Sequence, residues 1–339
     1  MQDESPPATG DRTPRSQDSG SSADEAPRIL VCVDLARETR EIVPPAKAIA
    51  RALDGKLEFL HVLETHAPAE TGSPVDPVEW DIIRREAKAH MAHFAEGDET
   101  LVAHLLEGRS AEQICSEMAS RPQDIAVLGR GDEVSRSYMG ETVRKMLESG
   151  LNSLLLVPIG VEPKQKFSRI LVPLDCSGRS ERIMPVVEKI ARSENAELIL
   201  VHAVPEPVLS GGEPGQSSDK ELRSQINQRN ERVARDYLDR LCGRVRADGL
   251  RVRSLVLRGG DVRRQLAAAI GDQATDLLVL ASHGHSGFAD VPFGDVANYL
   301  IKQANVPTML IRLGDDVAEG HAYSDARSKG VRSPGTLTQ

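Results

Sequence analysis

The segment Arg28-Ile29-Leu30-Val31-Cys32-Val33-Asp34 returns 141 residues later as Arg169-Ile170-Leu171-Val172-Pro173-Leu174-Asp175. The correspondence runs without a gap, 28–63 over 169–204, and 12 of the 36 pairs are identical. Among them are Asp34 with Asp175, Pro44 with Pro185, Ile49-Ala50-Arg51 with Ile190-Ala191-Arg192, and His61 with His202. It resumes near the ends of the two halves, where Val127-Leu128 matches Val279-Leu280 and Gly140 matches Gly294. Self-similarity over this length marks a duplicated unit.

Working outward, each copy alternates short apolar runs with stretches of helical period, the pattern of a parallel sheet covered by helices. The expected strands are 28–33, 57–63, 101–106, 124–129 and 153–157 in the first half. In the second they are 169–174, 198–204, 252–257, 276–281 and 307–311, with helices at 180–192, 219–248, 261–270 and 294–303. Within 219–248, Leu222, Ile226, Val233, Tyr237 and Leu241 recur near 3.6 residues and predict the buried stripe. The fold class is therefore α/β: two tandem, open, parallel five-stranded sheets flanked by helices. The expected division is 28–158 and 169–313, a linker at 159–168, and disordered tails at 1–27 and 314–339, whose Ser, Pro, Gly and acidic residues cannot offset the entropy of ordering.

Composition removes several classes of function. The chain has 339 residues, 40% hydrophobic and 27% charged, enough for ordinary packed cores. Its 42 basic and 51 acidic side chains give a formal charge of −9, which disfavours phosphate backbones and anionic lipid. Aromatics at 3% leave little from which to build base-stacking platforms, so nucleic acid is excluded as a partner. The longest mostly apolar run, 154–161, contains Pro158 and Gly160 and is far short of the roughly 20 residues of a membrane span. The start, Met1-Gln2-Asp3-Glu4-Ser5-Pro6-Pro7, is neither basic nor apolar as a secretory signal is, so the expected compartment is the cytoplasm. Cys32, Cys115, Cys176 and Cys242 form no Cys-x-x-Cys pair and read as reduced, packed thiols.

In an open parallel sheet, ligands bind beyond the carboxyl ends of the strands. In the second half those positions hold Pro173, Asp175 and Ser177, then His202 and Ala203, then Ala281-Ser282-His283-Gly284, with Gly294-Asp295 opening the next helix. Glycines before a helix N-terminus admit a phosphate; they also simply turn the chain. Asp175 can face a ligand or satisfy backbone donors in its own loop. His283, His285, Asp290 and Asp295 lack a further nitrogen or sulfur ligand nearby, so a metal site is disfavoured. His90 and His93 share a helix face and read as solvated. Cys176 follows a strand with no identifiable base and reads as inert. Neither a Gly-x-Ser-x-Gly elbow nor a Gly-x4-Gly-Lys-Ser/Thr loop occurs.

With these residues in view, the chain resembles the universal stress protein (UspA-like) family in tandem form, over about 28–313. The resemblance implies an adenine-nucleotide-hydrolase-like, Rossmann-like fold and a binding or regulatory role in stress responses rather than catalysis. It also implies pairing of the halves through their last strands, and an ATP site using Mg²⁺. Nucleotide-binding members carry Gly-x2-Gly-x9-Gly-Ser/Thr after the fourth strand, an Asp after the first, and His-Val ending the second. Carried over, the second half offers Pro173, Asp175 toward the ribose, Ala203 toward the adenine, and Ala281, Gly284, Gly294 and Asp295 toward the phosphates. Gly284-x9-Gly294 and Asp175 match; Ala281, Ala203 and Asp295 depart.

Asp295 is the consequential departure. Two unit charges about 4 Å apart repel by roughly 1 to 4 kcal/mol at dielectrics of about 80 to 20, a loss of up to about a thousandfold in affinity. Asp295 is expected to cap its own helix, and a bridging divalent cation would reverse the repulsion. The first half retains Asp34 and His61-Val62, but its loop is two residues shorter, with Asp132 at the second glycine and Glu141 at the hydroxyl position. The resemblance leaves as partners an adenine nucleotide, a protein not identified by sequence, and a second copy in a homodimer. The alternative is a nucleotide-independent interaction protein in which both loops have degenerated.

Overall fold

The computed structural model describes residues 26–35, 40–64, 76–95, 102–131, 139–162, 164–207, 217–282 and 294–312. The expected tails therefore lie almost wholly outside the described residues.

The first half runs β1 (Arg28–Cys32), a 3-10 turn (Arg40–Ile42), α1 (Val43–Ala52), β2 (Lys56–Glu64), α2 (Pro77–Ala95), β3 (Val102–Gly108), α3 (Ser110–Ala119), β4 (Ile125–Arg130), α4 (Glu141–Ser149) and β5 (Ser153–Pro158). The second runs β6 (Arg169–Pro173), α5 (Gly178–Glu181), α6 (Met184–Glu194), β7 (Glu197–Val204), α7 (Ser217–Ala247), β8 (Arg251–Arg258), α8 (Val262–Asp272), β9 (Leu277–Ala281), α9 (Asp295–Gln303) and β10 (Thr308–Ile311). The strand order is β3-β2-β1-β4-β5-β10-β9-β6-β7-β8. Each half is thus a five-stranded parallel sheet. The halves join where β5 and β10 pair antiparallel, Met309 opposite Leu155, so the last strands meet as expected.

Strand residues alternate between two cores, one on each face of the joined sheet. Ile29, Val31, Ile170 and Val172 pack with α1, α6 and α7; Leu30, Leu128, Leu171 and Leu280 pack with α3, α4, α8 and α9. Burial on both faces explains why these strands read as unbroken apolar runs.

The duplicated residues hold duplicated joints. Asp124 and Asp276 open the fourth strand of each half: Asp124 accepts from the Arg28 N–H at 3.0 Å, and Asp276 from the Ser168 and Arg169 N–H groups at 2.8 and 3.0 Å. Asp54 and Asn195, the aligned pair after α1 and α6, both adopt left-handed backbone at φ 53° and 51°, a conformation Asn and Asp tolerate better than most residues.

Two helix expectations change. The helix expected at 180–192 is divided into α5 and α6: Pro185, in the first turn of α6, has no N–H to donate to the Glu181 carbonyl, so the hydrogen-bond ladder is interrupted there. In α7, Leu222 and Val233 point outward, Val233 being 52% exposed; the buried stripe is Ala234, Leu238, Leu241, Cys242 and Val245. That stripe keeps the i, i+4, i+7 spacing on a face rotated from the predicted one.

Three buried charges stitch the halves together. Arg130, 1% exposed at the end of β4, donates to the carbonyls of Lys302 (3.3 Å) and Ala304 at the C-terminus of α9. Arg312, after β10, donates to Leu147 at 2.7 Å and to Met146 at 3.4 Å, at the C-terminus of α4. Glu194, buried on α6, accepts from Arg51 of α1 at 2.5 Å and from the Phe167 N–H at 3.1 Å.

Candidate functional site

The carboxyl ends of the strands form a cradle in each half. In the second, β6 lies between β7 and β9, so Pro173, Asp175, Ala203 and Ala281 sit on neighbouring strands at one end of the sheet. Pro173 and Ala281 are half-buried; Ala203 is buried. Gly284 lies outside the described residues, as do His283, His285 and Asp290. Among the described residues, no group of three or more His, Cys, Asp or Glu is arranged to hold a metal.

The two ends of that loop are tied together: the Gly294 N–H donates to the Ser282 carbonyl at 3.2 Å, and the Ser282 N–H to Ile311 at 3.1 Å. Gly294 is the N-cap of α9, and as a glycine it contributes no side-chain cap. Asp295 occupies the first helical position and is exposed. The expectation that it caps its own helix is therefore corrected: one position past the N-cap, its carboxylate favours the helix dipole without taking the cap's place.

The carboxylate also lies near Arg263 at the start of α8. Arg263 is gripped by Asp261 through Nε at 3.2 Å and Nη2 at 2.8 Å, and its guanidinium lies 5.7 Å from the Tyr299 ring centre. Asp261 raises the guanidinium's affinity for its proton, with a smaller contribution from Asp295. Arg263 is thus a cation beside the substituted phosphate position that motif reading missed.

Asp175 accepts from the Ser177 N–H at 3.0 Å and from its hydroxyl at 2.6 Å, and Ser177 in turn caps α5 by accepting from the Ser180 N–H. The loop-bracing role weighed from sequence is thus present in the geometry. His61 and His202 play matching parts: Nδ1 of each donates to a carbonyl just past the first strand, Val33 at 2.9 Å and Leu174 at 2.7 Å.

His202 also stands 3.5 Å from the Cys176 sulfur, a proximity that sequence did not reveal. Cys176 lies in a strand-to-helix turn at φ 64°, a strained position of the kind found at some nucleophiles. The chemistry does not follow. Nδ1 already carries its hydrogen to Leu174, so it cannot take the thiol proton, and burial, then Asp175, pushes the Cys176 thiol up to about 11.

The described residues of the first-half cradle form an open cleft of about 490 Å³, within the range of small-molecule sites. It is bounded by the ends of β1, β2 and β4 and by the starts of α3 and α4, at Ser110 and at Gly140, Thr142 and Val143. A Cβ at Gly129 would stand 2.9 Å from the Ile159 Cδ1 and displace that side chain, and Gly131 takes φ 93°. Burial pushes the Cys32 thiol in this wall up to about 12. The half whose motif departs further thus holds a formed cleft.

The sequence model of the universal stress protein family matches residues 26–158 and 166–312, one copy over each half. The chain belongs to the universal stress protein family. Universal stress protein A homolog 1 of Coxiella burnetii is 30% identical over 146 residues, 43% of this chain and 96% of that protein. The structure of a universal stress protein from Archaeoglobus fulgidus covers 86% of this chain and 100% of its own at 15% identity and a TM-score of 0.58. A Pseudomonas aeruginosa protein described as functionally unknown covers 90% and 98% at 12% identity and a TM-score of 0.60. These two structural likenesses extend across both halves of the fold. Among the described residues of this universal stress protein, no helix is long and apolar enough to cross a membrane.

Proposed function

We propose that this tandem universal stress protein binds an adenine nucleotide with Mg²⁺ in the cradle of its second half, and acts by binding and regulation rather than turnover. The observation that carries the reading is the start of α9. Its N-cap is a glycine with no side-chain cap, and such a helix start suits a phosphate. The residues present fit the ligand only with a cation. Asp295 at the phosphate end would repel a bare triphosphate, whereas Mg²⁺ shared between that carboxylate and the phosphates turns repulsion into attraction. Arg263 offsets part of the same charge. Pro173, Asp175 and Ala203 would hold the nucleoside end, and Gly284 would complete the phosphate loop.

Calorimetry of the full chain with ATP tests this. Asp295→Ser is expected to tighten ATP binding about tenfold without divalent cation, the lower-middle of the range set by charge repulsion, and to change it less with Mg²⁺. No ATP binding under either condition, with partner capture from lysate unaffected by the variant, would favour the nucleotide-independent interaction protein instead.

A further inference from the structure

The long helix α7 outruns the sheet it covers, and its inward face changes character where the core ends. We infer that the groove beneath its N-terminal half binds a small, multiply charged oxyanion, one carrying adjacent phosphoryl or carboxyl groups. The groove is separate from the strand-end cradle of the second half, because α7 and α9 cover opposite faces of the sheet.

The first observation is the overhang. At 31 residues α7 is roughly 46 Å long, against roughly 26 Å for the 8 residues of β8. Ala234, Leu238, Leu241 and Val245 are buried against the sheet, whereas no residue from 220 to 233 is buried. The helical register nevertheless continues. Steps of three and four back from Ala234 reach Glu231, Asn227, Arg223 and Lys220, so the stripe that faces the core in one half of the helix is polar in the other. Leu222 and Val233, 47% and 52% exposed, stand away from that stripe. An overhang meeting only solvent has no reason to put cations on its inward face and apolar side chains outside; a charged ligand beneath it supplies one.

The second observation is the groove itself. It is open, measures about 440 Å³, and runs between this stripe and the ends of β7 and β8 at Val204, Arg258 and Gly259, a size that suits a small molecule. Three cations line it, Lys220, Arg223 and Arg258, against one carboxylate, Glu231. That carboxylate is 15% exposed and already shared between Arg235 at 2.5 Å and Arg258 at 3.1 Å, so it fixes the Arg258 guanidinium at the groove. Lys220 and Arg223 are exposed and have no ion partner among the described residues. Ser224, Asn227 and Gln228 add neutral donors. Guanidinium groups grip planar or tetrahedral oxyanions through paired hydrogen bonds, and the ammonium adds a point charge. The local excess of positive charge stands in a chain whose formal charge is −9.

Calorimetry of the full chain at low salt, with inorganic pyrophosphate and separately with citrate, tests the inference. One equivalent of at least one anion is expected to bind; the tighter of the two identifies phosphoryl or carboxyl groups as the preferred chemistry. Lys220→Ala combined with Arg223→Ala, two exposed positions, should weaken binding at least about tenfold while leaving the thermal unfolding midpoint unchanged. Leu222→Ala, between them on another face, should leave binding unchanged. Asp295→Ser should also leave it unchanged, so the outcome is independent of the ATP reading. Neither anion binding, binding that survives the double substitution, an equal loss in Leu222→Ala, or an isotherm that follows Asp295→Ser instead would each overturn the inference.

Discussion

Arg130 offers a measurable balance of opposing terms. Its guanidinium is buried, and that burial pulls its pKa from 12.5 down to about 10, so holding the charge inside costs about 3 kcal/mol. Against this stand two charge-assisted hydrogen bonds to the carbonyls of Lys302 and Ala304, each contributing about 1.5 to 3 kcal/mol. A helix C-terminus adds up to about 2 kcal/mol. The net stabilisation is therefore only about 0 to 5 kcal/mol and turns on packing. Arg130→Met keeps most of the volume while removing both the bonds and the burial penalty; it should cost about 1 to 2 kcal/mol. Arg130→Ala additionally leaves a cavity and should cost about 2 to 4 kcal/mol more. Urea denaturation of the full chain, with unchanged slope, reads both values, and hydrogen exchange across α9 tests whether the effect crosses to the second half. Equal losses for Met and Ala would refute the balance. So would a stability loss in either variant with no faster exchange in α9.

Glu194→Ala should cost about 1 to 3 kcal/mol in chemical denaturation, because it strips the buried Phe167 N–H of its acceptor while the largely exposed Arg51 is taken up by solvent. Arg51→Ala should cost about 1 to 3 kcal/mol, because although the Arg51 side chain is 58% exposed, its loss leaves the buried Glu194 carboxylate without its cation. Cys32 and Cys176, with thiols pushed up to about 12 and about 11, should be alkylated by iodoacetamide at pH 8 about 100-fold or more slowly than an unperturbed thiol. The thiolate is the nucleophile, so the rate should climb about tenfold per pH unit between 8 and 10; peptide mapping that finds either residue modified rapidly at pH 7 contradicts the burial argument.

The duplication, the five strands of each half and their α/β alternation were legible in the chain itself, since periodicity and strand-end residues are local properties. The joints at Asp54 and Asn195, and at His61 and His202, could likewise be paired by alignment, because each holds elements that lie close in sequence. Hydropathy gave no reason to bury Arg130, Arg312 or Glu194. Their partners in the opposite half lie 143 to 174 residues away, and a charge becomes tolerable inside only once distant carbonyls or an opposite charge are brought to it. The same limit hid His202 beside Cys176, Arg263 beside Asp295, and the cleft in the half with the poorer motif. A motif records which residue types follow a strand, whereas the free space and net charge at the strand ends are set by helices converging from separate parts of the chain.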